Sequence, residues 1–120
     1  MSHQHVDPQS TEPLIPRPAV TVEALRAAVE RLDPEQTAKF DSELTAFEAE
    51  AERTGNPQSM PTFLRTWAVW VERYRVPATA TRIHELEIAM GAARTDEEAR
   101  AVATDMSKLL HEITDGLPLP

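Results

Sequence analysis

Apolar residues recur along most of this chain at i, i+3 and i+7, the spacing that lays one stripe on a helix of about 3.6 residues per turn. Val22, Leu25, Val29 and Leu32 make the first such row, with Thr21 before it as a capping residue. Asp33-Pro34-Glu35-Gln36 then supplies a capping acid, a proline at the first helical position and a Gln three residues after the cap. That predicts a second helix running to Thr54, with Phe40, Leu44, Phe47 and Ala51 inward and Gly55 as its stop. The third row is the bulkiest: Phe63, Trp67, Trp70 and Tyr74 share a stripe that Leu64, Ala68 and Val71 widen. Pro61 fits its first turn, and Pro77, which has no N–H to continue the ladder, sets its end near Val76. Ile83, Leu86, Met90 and Ala93 form a fourth row. Thr95-Asp96-Glu97-Glu98 is a capping box that opens a fifth, with Ala99, Val102, Met106, Leu109 and Ile113 on one face and Gly116 at its end.

No stretch alternates with period two, so nothing reads as a strand. The predicted fold is all-α, a single small bundle of five helices over residues 21–116, and its short connections favour antiparallel neighbours. Residues 1–20 carry Pro8, Pro13, Pro16 and Pro18 among few large apolar side chains, and read as a disordered, dispensable arm. Within it, Pro13-Leu14-Ile15-Pro16-Arg17 has the look of a short proline-rich docking ligand. Residues 117–120 read as a tail.

Charge narrows the function classes. The 120 residues carry a formal net charge of −8, which argues against direct binding of nucleic acid, because phosphate binding draws on Lys and Arg. A basic protein partner fits better. From Asp33 to Arg53, seven acids face only Lys39 and Arg53, a local −5, whereas from Pro61 to Arg94 five arginines outnumber three glutamates. Asp41, Glu48 and Glu52 flank one side of the second helix's apolar stripe, with Glu43 and Glu50 on the other. This acidic surface is either a solvated face or a dock for a cationic partner. On the third helix Val69 and Val76 are expected opposite the aromatic stripe, between Arg65, Arg73 and Glu72. They are either covered within the fold or part of a small interface, since interfaces favour Arg over Lys.

Catalytic chemistry finds little here. Cysteine is absent, the four histidines lack a second ligand at metal spacing, and the three glycines form no phosphate-cradling loop. His84 and His111 are expected on helix faces away from the apolar stripes. Ser42, Ser59 and Ser107 sit in no nucleophile motif. The reading is therefore of a non-enzymatic protein with no catalytic residues, no metal and no cofactor. Without a signal-like start or a long apolar run it reads as cytoplasmic, with no membrane span.

Ala24 to Pro34, the acidic helix that begins Phe40-Asp41-Ser42-Glu43, the Trp and Arg helix and the final Ala- and Glu-rich pair occur in an order that resembles a family of small actinobacterial helical proteins of unassigned function. Members of that family resemble antitoxin partners, often encoded beside basic toxins of the ribosome-dependent nuclease type. The resemblance implies an antitoxin-like neutraliser of a basic toxin, with self-association of the bundle as the alternative. The chain departs from many antitoxins in having no helix-turn-helix with a basic recognition helix.

Overall fold

In the computed structural model, residues 7–118 are described, and among them there are five α-helices and no strand. They are α1 (Val22–Leu32), α2 (Thr37–Thr54), α3 (Ser59–Tyr74), α4 (Pro77–Ala92) and α5 (Asp96–Asp115), so the all-α prediction holds. The caps explain most of the ends. Thr21 and Thr95 each accept a hydrogen bond from the backbone N–H three residues on, at 3.2 and 3.1 Å, and Glu98 accepts from the Arg94 N–H at 2.7 Å. Gly55 ends α2 in the left-handed region at φ 67°, which a side chain rarely adopts. Asp33 differs from expectation. It caps a 3-10 turn, Pro34–Gln36, that leads into α2.

α1, α2 and α3 pack into a three-helix bundle around a dry aromatic line. Phe40 meets Phe63 and Trp67 edge-on, with ring centres 5.0 and 5.1 Å apart. Phe47 extends the line at one end, and Trp70 and Tyr74 at the other. Leu25, Val29, Phe40, Phe63, Trp67 and Val71 are all buried, and each such large side chain contributes about 1.5–3 kcal/mol. Trp67 lies in the core as the sequence suggests, while Trp70 is only half-buried.

α4 and α5 form a hairpin mounted on α3, which touches every other α-helix. The radius of gyration is 16.5 Å, against about 14 Å for a compact chain of this length, and the extents are 48 × 45 × 24 Å. The hairpin therefore projects rather than closing over the bundle. Of the expected α5 stripe only Ile113 is buried; Ala99, Val102, Met106 and Leu109 are half-buried. No helix among the described residues is long and apolar enough to cross a membrane.

The arm corrects the expectation of disorder over residues 1–20. Residues 1–6 lie outside the described residues, with His3 and His5 among them, but the stretch from Ser10 to Arg17 is a strap across the corner between α3 and α4. The corner needs partners, because a helix leaves its last carbonyls and first N–H groups unpaired. The Leu14 N–H donates to the Arg75 carbonyl at 2.7 Å, and the Ala78 N–H donates to the Ser10 carbonyl at 2.9 Å. Ile15, only 6% exposed, joins the bundle core. Arg17 and Arg75 both grip the Glu72 carboxylate through two N–H groups each, at 2.9–3.1 Å. Arg17 also donates to the Gly116 carbonyl at 2.9 Å, tying the strap to the end of α5. Beyond α5, Leu117 is half-buried, and residues 119 and 120 lie outside the described residues.

Candidate partner-binding surfaces

The acidic residues of α2 divide between two sides of the helix. Asp41 faces α1, where Arg26 donates to both its oxygens at 2.8 and 2.9 Å. Those hydrogen bonds hold the Asp41 carboxyl below the usual carboxylate range. Glu50 pairs with Arg53 at 2.6 Å and Glu43 with Lys39 at 3.9 Å, both on the surface. Glu48 and Glu52 are exposed one turn apart, and neither has an ion-pair partner among the described residues. Of the five carboxylates, three therefore have an intramolecular cation and two do not.

Glu43 opens onto a groove of 420 Å³ between α2 and α3, whose walls include Lys39, Arg65, Trp67, Val69, Trp70 and Arg73. The structure thus brings Glu43, Arg65, Val69 and Arg73 together. The Arg73 guanidinium lies 5.6 Å from the centre of the Tyr74 ring, and its Nε is buried without a hydrogen-bond partner. Val76 is set apart from this group. α3 ends at Tyr74, and Val76 is the extended residue before α4, at φ −112° and ψ 115°, so it does not share a helix face with Val69. Pro77 accounts for the difference: it begins α4 at the position where its missing N–H costs nothing, so α3 ends two residues earlier than the sequence suggests.

A second groove, of 580 Å³, runs between α4 and α5, and the sequence reading missed it. Leu86, Met90, Ala103, Met106 and Leu110 give it an apolar floor, with Glu87, Ser107 and His111 at its edges. His111 is therefore at the margin of an apolar surface rather than opposite one; its Nδ1 lies 2.8 Å from the Ser107 carbonyl of its own helix. The signal was present in α5. Ala99, Ala103, Met106 and Leu110 make an apolar stripe beside that of Val102, Leu109 and Ile113, more width than packing on a single neighbour uses.

Glu72 is held between two arginines, but it belongs to the strap. Burial pushes its carboxyl up, and the hydrogen bonds and charges of Arg75 and Arg17 outweigh that and hold it below the usual range. Among the described residues, no three His, Asp or Glu side chains converge in a way that would hold a metal ion. No protein-family model, curated protein or solved structure matches the chain.

Proposed function

We propose that this protein is a non-enzymatic protein-binding module that docks a basic protein through α2, and that its role is that of an antitoxin-like neutraliser, as the family resemblance implies. The observation that carries the reading is the pair Glu48 and Glu52. Two like charges one turn apart on a helix cost about 0.2–0.5 kcal/mol, and here neither has an ion-pair partner among the described residues; Arg53 is taken by Glu50. A cationic partner relieves that repulsion on contact. The groove on the other flank of α2 is a separate feature, where Val69 and Trp70 offer apolar wall beside the charges of Glu43, Arg65 and Arg73. A matching partner is cationic over Glu48 and Glu52. Asp41 is bound to Arg26 and contributes field rather than contact.

The test is co-purification with the product of the neighbouring reading frame, then association kinetics with the parent and with a Glu48→Lys/Glu52→Lys variant. Reversal is expected to slow association while the circular dichroism spectrum stays helical, and salt is expected to do the same to the parent as the Debye length shrinks from about 30 Å at 0.01 M to about 3 Å at 1 M. Equal rates for the two proteins across that range would remove α2 as the dock.

A further inference from the structure

The α4–α5 hairpin carries a separate surface, and we propose that it docks face to face with the hairpin of a second copy of this chain to close a four-helix bundle. This inference does not rest on the α2 reading. Met90, Ala103, Met106 and Leu110 form one apolar surface above the buried Leu86; Met90 is 40% exposed, Ala103 is exposed, and Met106 and Leu110 are partly so.

The edges of that surface are self-complementary. Glu87 lines the groove from α4. Arg100 lies three residues before Ala103 and seven before Ser107, which places it on the same side of α5. Neither has an ion-pair partner among the described residues. Glu87 is five residues before the end of α4 and Arg100 four residues after the start of α5. At about 1.5 Å per residue both stand at nearly the same height above the turn, on opposite edges of the surface. A twofold axis parallel to the helices lays α4 over the second copy's α5. It then sets Glu87 beside Arg100 of the other copy, twice. The same rotation places the bulky Met90 against the small Ala99, the alternation that close packing between helices needs. A foreign helix lying in the groove has no reason to present a cation at one edge and an anion at the other; the chain's own hairpin presents both.

Size fits a weak dimer. From Ala99 to His111 the surface runs about 18 Å, so two helices about 10 Å wide give roughly 360 Å² per copy, and the resulting total of roughly 700 Å² belongs to weak, transient association.

Sedimentation equilibrium of the full chain tests the proposal, with Ala103→Glu, Glu87→Arg, Arg100→Glu and the double charge swap. The parent is expected to form a dimer on concentration, and Ala103→Glu to remain monomeric with an unchanged helical spectrum. Each single charge change is expected to raise Kd about tenfold by replacing two attractive pairs with two repulsive ones, and the double swap to bring Kd back near the parent value. A parent that is monomeric throughout, a dimer indifferent to Ala103→Glu, or a double swap no tighter than the single changes would overturn it.

Discussion

The bundle of α1, α2 and α3 and the hairpin of α4 and α5 are built from similar rows of apolar residues, yet they end in opposite states. In the bundle, Phe40, Phe63 and Trp67 bury against one another, and even the strap contributes Ile15 to the same core. In the hairpin, Ile83, Leu86 and Ile113 are buried, while Met90 stays exposed and Met106, Leu109 and Leu110 are only half-covered. The difference is one of how many neighbours each helix has. α3 is apolar over much of its circumference and is surrounded by helices, whereas α5 has comparable width and packs mainly on α4. An apolar stripe therefore predicts that a helix seeks cover, and the fold decides whether this chain supplies it.

Substitutions in the two regions break or sharpen that contrast. Trp67→Ala is expected to have the largest effect, a loss of about 3–5 kcal/mol in denaturant unfolding, because the side chain is almost fully buried in the core. A variant as stable as the parent would mean that the bundle core is not where the stability resides. Next is the strap. Glu72→Gln is expected to lower stability by roughly 2–4 kcal/mol near neutral pH, since it strips a countercharge from the nearly buried Arg75; the partly exposed Arg17 keeps the value at the low end. The sign of the pH dependence follows. The folded carboxyl titrates below its unfolded value of about 4.3, so its contribution is present above that value and is lost as pH falls through the lower, folded one. The stability gap between parent and Glu72→Gln should accordingly narrow in acid, and a gap that widens there would contradict the assignment. The smallest effect is expected in the hairpin: Leu110→Ala, measured in dilute solution, should cost about 1–2 kcal/mol, because its side chain stays partly in contact with water. A loss as large as that of Trp67→Ala would show that the groove is covered within one chain.

How much of this was legible in the sequence depends on whether the deciding contact is local. Caps, prolines and Gly55 are local signals, and the helices begin and end within a few residues of where those signals place them. The split of the α2 carboxylates was also readable from helical spacing, but the capture of Asp41 by Arg26 was not, since it depends on how α1 crosses α2. The strap was missed for the same reason. Proline-rich composition says that Ser10 to Arg17 builds no helix, and it is silent on the free backbone groups at the α3–α4 corner that hold it. The groove was hidden because periodicity shows that Met90 and Met106 are apolar, without showing that the bundle stops short of them.

Backbone hydrogen exchange, measured on the full chain at low and high protein concentration, compares the two regions in one experiment. Amides of α1, α2 and α3 are expected to be protected equally at both concentrations, because their core is complete within one copy. Those of α4 and α5 are expected to exchange faster in dilute solution and to gain protection as concentration rises. Hairpin amides as protected as the bundle's and indifferent to concentration would contradict the account.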